Sequence, residues 1–480
     1  MTTAIFWFRQ DLRLSDNPGF LAACEDYDQL IPIFIDDNGH LKSQLGEASR
    51  AWLHHSLESL NKQLTTFDSE LLLFKGVALD VINDICQKTD IDAVIWNRCY
   101  EPEAIERDSN IKAALKAQSI HAQSENALLF FEPWQVLKKD GTPYRVYTPY
   151  WRQVAQLGLE QPPVSTPSKI PTLPTASLSN VTLKSLDLLP NKPWPADMLS
   201  YWKIGELAAQ NTLTEFLARS GGVDYKNKRD LPAVVGTSQL SPHLHFGEIS
   251  PRQIVWQTLQ ETPLHELDGG TETFIKEVIW REFAYYIMYH FPDTQHEAMY
   301  PQFKNFPWLE DVSENLEKWQ KGQTGYPIID AGMRELYATG WMHNRVRMIV
   351  ASFLCKNLLI NWQLGEAWFR DILVDADLAS NTLGWQWSSG CGADASPYFR
   401  VFNPVTQSKK FDKEGEYIRR WVPELKDLDN KSIHEPWLAS SVVRSRLDYP
   451  EPMVDLAATR LRALDAYSHV KKQKELLQEG

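Results

Sequence analysis

Four short apolar runs near the start of the chain, AIFWF, LIPIFID, ELLLFKG and DAVIWN, are separated by stretches of helical character, GFLAACEDYD, ASRAWLHHSLESLNKQL and ALDVINDICQK. Strands that alternate with helices leave few folds open. A parallel strand is reached only by a crossover, and crossover helices cover both faces of the sheet. The alternation predicts an α/β domain with a Rossmann-like parallel sheet over residues 1–135. Asn17-Pro18 supplies a helix start, with Asn as cap and Pro in the first turn. A sheet of this kind takes nucleotide-sized ligands at the carboxyl ends of its strands. The segment contains neither GxGxxG nor GxxxxGK[ST], so dinucleotide or P-loop chemistry has no support in it.

Residues 161–200 are rich in Pro, Ser and Thr and show no sustained period. They read as part of an extended connector, taken as residues 136–202. Beyond it the patterns are helical, as in TETFIKEVIWREFAYYIMYHF and AGMRELYATGWMHNRVRMIVASFLCKNLLI, which predicts an all-α domain over residues 203–473. The tail HVKKQKELLQEG reads as a charged, solvated helix end. No uninterrupted apolar run reaches membrane-spanning length, and the N-terminus lacks the pattern of a signal peptide, so the expected location is the cytoplasm. The five cysteines include no CxxC pair, which points to no metal site. A formal net charge of −13 argues against indiscriminate coating of nucleic acid and leaves room for a focused basic groove.

Three clusters carry chemistry. In TFIKEVIWREFAYYIMYH, Glu277, Trp280, Arg281 and Ala284 recur at helical spacing on one stripe, and in GWMHNRVRMIVASF so do Trp341, Asn344, Arg345 and Met348. Taken singly, each of these residues reads as core or as an amphipathic boundary; their joint occurrence with the acids Asp375 and Asp377 of LVDADLASN shifts the reading toward a site. GTSQLSPHLHFGEIS brings hydroxyls to a helix start, where a phosphate or a ligand-free N-cap cluster are equal readings. Lys226, Lys228 and Arg229 in DYKNKRD offer cations to a phosphate backbone or form a solvated loop. Finally, NTLGWQWSSGCGADASPYFRVFNP sets Trp385 and Trp387 one residue apart and follows them with small residues, as a pocket for a flat ligand would require; packing is the plainer explanation.

Taken together, these motifs resemble the photolyase/cryptochrome family, and most of all the class I cyclobutane pyrimidine dimer photolyases. The resemblance runs through WFRQDLRLSDNP, YWRQVA, GTSQLSPHLHFGEISPRQ, EVIWREF, TGYPIIDAGMRELYATGWMHNRVRMIVASFL, LLINWQLGE, DADLASNTLGWQWSSGCGADASPYFRVFNPVTQSKKFD and HEPW. It implies an N-terminal antenna-type domain and a C-terminal helical domain that binds FAD. It also implies light-driven repair of damaged DNA by electron transfer from excited, reduced anionic FAD to an extruded cyclobutane dimer. For the cofactor it implies Tyr225, Thr237, Ser238, Gln239, Leu240 and Ser241 at the phosphates and ribityl chain. Around the flavin it implies Asn344, Arg347, Asp375, Asp377 and Asn381, with Arg347 and Asp375 as an ion pair. Gln239 stands where some members have Arg.

For the lesion, the resemblance implies Trp280 and Trp387 as walls, Met348 packed on the dimer and Glu277 on a base edge, with Asn344 close to flavin N5, where plant cryptochromes carry Asp. An amide there accepts hydrogen bonds without readily donating a proton. Arg229, Arg281, Arg345 and Gln407 are its candidates for DNA contacts, and Trp385, Trp362 and Trp308 for an electron-transfer chain to the surface. A second antenna chromophore is expected as folate or deazaflavin or absent, because Glu103 and Ala104 occupy positions where folate-binding members have Asn-Glu. The expected oligomeric state is a monomer.

Two relatives of the same fold compete with this reading. A (6-4) photolyase would carry His where this chain has Asn344 and Met348. A cryptochrome-type photoreceptor would carry a long C-terminal extension after HEPW.

Overall fold

The computed structural model describes residues 1–37, 39, 44–173, 178, 180–220, 224–260, 262–395 and 400–479, with the backbone alone at 220 and 471–479. The part of the 161–200 connector at 174–177 and 179, the residues 396–399 of the GWQW motif and the side chains of the charged tail therefore lie outside the described residues. The chain forms two compact units. The first comprises Met1–Val223, Ser238–His290 and Val374–Leu378; the second comprises Asp224–Thr237, Phe291–Leu373 and Ala379–Gly480.

The first unit is built on five parallel strands, β1 (Thr3–Phe8), β2 (Gln29–Asp36), β3 (Leu72–Lys75), β4 (Ala93–Asn97) and β5 (His121–Glu125), in the order β3-β2-β1-β4-β5. The helices α1 (Pro18–Asp26), α2 (Glu47–Thr65), α3 (Ala78–Lys88) and α4 (Pro102–Ala117) make the crossovers. Asn17 caps α1 as its position suggests, its side chain accepting from Phe20 N at 3.1 Å. The period of two in β1 divides its side chains between two cores. Ala4, Phe6 and Phe8 pack with Phe20 of α1 and Trp52 and Leu57 of α2, while Ile5 and Trp7 pack with Ile82 and Ile85 of α3 and Ile111 and Leu115 of α4. Burial on both faces explains why these strands read as continuous apolar runs rather than alternating ones.

The mostly polar β5, HAQSE, has no such signature, and only its pairing with β4 makes it a strand. The connector is not free of the sheet: Thr172 bridges to Leu30, Val181 bridges to Leu73, and Ile170 and Leu186 enter the core beneath α2.

Among the described residues of the second unit, the regular elements are all helices, joined by irregular segments. The run AGMRELYATGWMHNRVRMIVASFLCKNLLI, which reads as one helical segment, is broken. Pro327–Thr339 ends where Gly340 takes φ +67°, and Asn344–Ser352 begins after His343. A residue in the left-handed region cannot continue a right-handed helix, and glycine takes that conformation without a Cβ penalty.

Candidate active site

In the first unit, the Gly269–His290 helix presents Glu277, Trp280 and Arg281 half-buried on one stripe, with Ala284 buried next along it. The Trp280 indole lies flat on Tyr147, with ring centroids 3.7 Å apart at 11°, and Phe283 meets it edge-on at 5.7 Å. Tyr147, from helix α5 (Tyr147–Leu157), is itself anchored, its hydroxyl donating to Lys276 O at 2.7 Å. An indole backed by a second ring has its orientation fixed before any ligand arrives, and a half-buried ring of this kind suits stacking on a flat group. Sequence spacing singled out Trp280 and missed Tyr147, because no local period links residues so far apart in the chain.

Arg281 is occupied within the unit. It donates to Leu128 O at 2.9 Å and Leu244 O at 3.4 Å, and its guanidinium lies 4.8 Å from the Tyr285 ring centroid. The next residue, Glu282, accepts from Phe130 N at 2.6 Å and Phe131 N at 3.2 Å, so the two neighbours brace the loop that contains Leu128. Burial pushes the Glu282 carboxyl up to about 7 against those two hydrogen bonds.

Ser238 to Ser241 lead into the short Ser241–His245 helix. Gln239 adopts φ +56°, and Ser238 Oγ accepts from Leu240 N at 3.4 Å. Asp375 and Asp377 are both buried, and Asp377 N donates to Asp375 O at 2.9 Å. His245 Nδ1 lies 3.2 Å from Val374 O, and burial lowers the affinity of that ring for a proton despite the two acids.

At the carboxyl edge of the sheet, two guanidinium groups approach the Trp7 ring, Arg9 at 4.7 Å and Arg107 at 4.8 Å from its centroid. Asp108 holds Arg9 at 2.7 Å, and Asp37 holds Arg107 at 2.6 Å. Gln10 donates to Glu101 Oε1 at 3.2 Å, whereas Trp7 Nε1, Gln10 Oε1 and Glu101 Oε2 are buried without a described partner. This is where the strand order reverses between β1 and β4, the place where open α/β sheets bind ligands. Glu103 stands in the first turn of α4, and Ala104 is buried beside it.

In the second unit, His343 caps the Asn344–Ser352 helix, its Nδ1 accepting from Arg345 N at 3.2 Å. Asn344 is therefore the exposed first residue of the helix, and Trp341 lies in the break, off the stripe that its spacing suggested. The helix pattern was correct from Asn344 onward and failed one turn too early because of Gly340. Burial pushes His343 down to about 4, which keeps the ring neutral and makes Nε2 its donor; that atom is buried without a described partner. Arg345, Arg347 and Met348 are half-buried on the same helix, and Arg347 Nε donates to Met342 O at 2.7 Å. Tyr225 is buried, with the Arg229 guanidinium 5.5 Å from its ring centroid; Thr237 and Gln407 are half-buried.

The Leu378–Ser389 helix answers why two indoles stand one residue apart. Two steps of about 100° each turn Trp387 well away from Trp385. Trp385 is buried and Trp387 half-buried. Trp385 packs edge-on to Phe369 at 5.0 Å and to Trp319 at 6.1 Å, neither of which sequence reasoning had assigned to the site. Trp319 stood in KWQKGQ but carried no pattern of its own. Trp362 is the buried first residue of the Trp362–Ile372 helix, and Trp308 packs on Phe306 at 4.3 Å.

On the same helix as Trp385, both amide hydrogens of Asn381 are held by Glu366, by its carbonyl at 3.1 Å and by Oε1 at 2.8 Å. That fixes the amide and leaves Oδ1 as an acceptor. Gly384, one turn on and on the same side, has nothing among the described residues within 4 Å of where a Cβ would stand. An open flank beside a fixed acceptor accommodates a flat heterocycle with an N–H, so these residues fit the flavin that the resemblance implies.

The chain matches two family patterns, DNA photolyase at residues 4–168 and the FAD binding domain of DNA photolyase at residues 274–469. It is 44% identical to the deoxyribodipyrimidine photo-lyase of Agrobacterium fabrum over 98% of both chains. With cryptochrome-2 of Arabidopsis thaliana it shares 36% identity over 98% of this chain and 80% of that protein. A crystal structure described as a bacterial class III photolyase from Agrobacterium tumefaciens superposes with a TM-score of 0.93 at 43% identity, covering 98% of each chain. With its parallel sheet, its helical C-terminal part and matches of this length, the chain belongs to the DNA photolyase family.

Proposed function

We propose that this protein binds FAD and uses blue light to split cyclobutane pyrimidine dimers in DNA, as a deoxyribodipyrimidine photo-lyase. The observation that carries this reading is the 44% identity to such an enzyme over 98% of both chains. In its place in the fold, residues 1–135 form the antenna-type domain, 136–202 the connector and 203–473 the FAD- and DNA-binding domain. The motifs resemble class I, but on the 43% identity to a structure described as class III we place the chain with class III. It acts as a monomer in the cytoplasm; among the described residues no helix is long and apolar enough to cross a membrane.

When bound, reduced FAD supplies the electron that opens the dimer and recovers it afterwards. Tyr225, Thr237, Ser238, Gln239, Leu240, Ser241, Asp375, Asp377 and Arg347 hold it, with Arg347 paired to Asp375. Asn381 accepts a hydrogen bond through the oxygen that Glu366 leaves uncommitted, and it has no amide hydrogen to spare. This moves the role at flavin N5 from Asn344 to Asn381, because a side chain exposed at a helix start has no such fixed orientation. A dimer must leave the duplex to react, and its unstacking cost is offset by aromatic contact. Trp280, held by Tyr147, is one stacking surface and Trp387 another; Met348 and Asn344 pack against the dimer, and Glu277 accepts from a base edge. Arg229, Arg345 and Gln407 contact the damaged strand, and Arg281 acts through the loop it braces. Trp385, Trp362 and Trp308, joined by Trp319, carry electrons toward the cofactor. The unpartnered polar atoms of Trp7, Gln10 and Glu101 favour a second, light-harvesting heterocycle at the edge of β1 and β4, a folate or a deazaflavin.

The test is to incubate the chemically reduced holoprotein with a duplex containing one cyclobutane thymine dimer, in blue light and in darkness. Restoration of intact thymines in light alone is the expected result. Failure to restore them with reduced FAD bound refutes the proposal.

A further inference from the structure

Arg345 belongs to the side chains assigned above to the damaged strand, and its guanidinium is already engaged. Nε and Nη2 both donate to Asp230 Oδ1, at 3.3 and 2.8 Å, and Nη1 lies 3.6 Å from Met348 Sδ. The flat face of the group rests 4.5 Å from the Phe411 ring centroid. Both ends of the ion pair reach solvent, the Arg345 side chain being 19% and the Asp230 side chain 36% exposed. The fork is thus aimed by three neighbours and keeps N–H groups for a ligand, while a carboxylate beside it cancels its charge. Around the pair, His343 is neutral at physiological pH, because burial pushes it down to about 4, and the other charges acting on it are the cations Arg347 and Arg229. Asp230 is thus the one acid among these charges, and it offsets the attraction an anion would meet at the Arg345 guanidinium itself. Such a site engages a phosphate that other contacts have already brought into register, and it gives little to a passing duplex.

We propose that Asp230 is a specificity-determining residue, acting through Arg345: it holds the guanidinium in place and cancels its charge, so that undamaged DNA gains little at this point. The inference rests on the reading of Arg345 as a strand contact. Asp230→Asn is the informative change, since the amide oxygen still accepts from Arg345 while the charge is gone. Each phosphate contact made by a cation adds about 0.9 to the slope of log affinity against log salt on duplex DNA.

The expected result for D230N holoprotein is tighter binding to an undamaged duplex, by about threefold or more at low salt, with a slope steeper by up to about 0.9. Affinity for a duplex with one cyclobutane dimer rises less, so discrimination falls. Arg345→Gln weakens binding to both duplexes, and the double variant behaves as R345Q. FAD absorbance of each variant verifies that the pocket is intact, and a merely structural Asp230 would leave the salt slope unmoved. If D230N does not bind undamaged duplex more tightly while R345Q still weakens binding, the role of Asp230 is overturned and the strand contact stands. If R345Q changes neither affinity, the contact itself fails and the proposal falls with it.

Discussion

Alanine in place of glycine inside a helix ordinarily stabilises a protein by about 0.5–1 kcal/mol. Gly365, within the Trp362–Ile372 helix, should do the opposite. A Cβ there would stand 2.1 Å from Trp385 Cη2, 2.4 Å from Cζ3 and 2.6 Å from Leu354 Cδ2, whereas ordinary contact begins at 3.4 Å. The indole must give by 1.3 Å (3.4 − 2.1), yet it is a rigid ring 2% exposed, with Phe369 and Trp319 packed against it. Overpacking of this kind costs about 1–3 kcal/mol, so the helix gain offsets only part of it. A net loss of about 1–2 kcal/mol corresponds to a fall in Tm of roughly 2–8 °C for a folding unit of this size. Displacing the ring should also slow photoreduction of bound, oxidised FAD by an external donor. Gly384→Ala is the control: its Cβ meets nothing within 4 Å, so the protein freed of FAD should gain about 0.5–1 kcal/mol, while FAD occupancy falls because the methyl enters the open flank beside Asn381. The assays are thermal melts of both forms, the FAD-to-protein absorbance ratio and flavin bleaching in blue light. A G365A protein that melts at or above the wild-type temperature and photoreduces at the wild-type rate refutes the claim that this glycine exists to admit Trp385.

Other outcomes follow from the same geometry. Trp280→Ala should weaken binding of a dimer-containing duplex by about 1–3 kcal/mol while FAD stays bound, and equal lesion affinity would remove this ring from the pocket wall. Trp362→Phe should impair photoreduction but spare repair by chemically reduced enzyme; equal loss of both would break the electron-transfer assignment. Burial raises the Glu335 carboxyl from 4.5 to about 7, although Oε2 accepts from Tyr417 Oη at 2.6 Å and His343 N at 3.3 Å. The folded protein then holds a proton that the unfolded chain releases, so this group's contribution falls as pH rises from about 4.5 to about 7, by up to about 3 kcal/mol. Glu335→Gln keeps an oxygen for both donors, and its stability relative to wild type should rise between pH 5 and pH 8; a difference that stays flat would show that Glu335 is not protonated in the folded state.

Much of this protein was legible in the chain alone. The alternation of apolar runs with helical spacing determined the parallel sheet, because strands buried on both faces have no polar positions to spare. Asn17-Pro18 determined a helix start through local chemistry, and the ordered motifs determined the family. Local rules reached their limit at β5, where pairing with β4 outweighs a polar composition, and at Gly340, where one left-handed residue takes Trp341 off the helix that its spacing suggested. The partners that give the site residues their properties were out of reach for a different reason. Tyr147 behind Trp280, Asp230 on Arg345, Glu366 on Asn381 and Trp319 beside Trp385 are all distant in sequence from the groups they orient, and hydrogen bonds and ring contacts between distant residues leave no period in a sequence. Composition and spacing therefore determined which side chains this protein has available; tertiary packing decided which way each one faces, what already holds it and what it has left to offer a ligand.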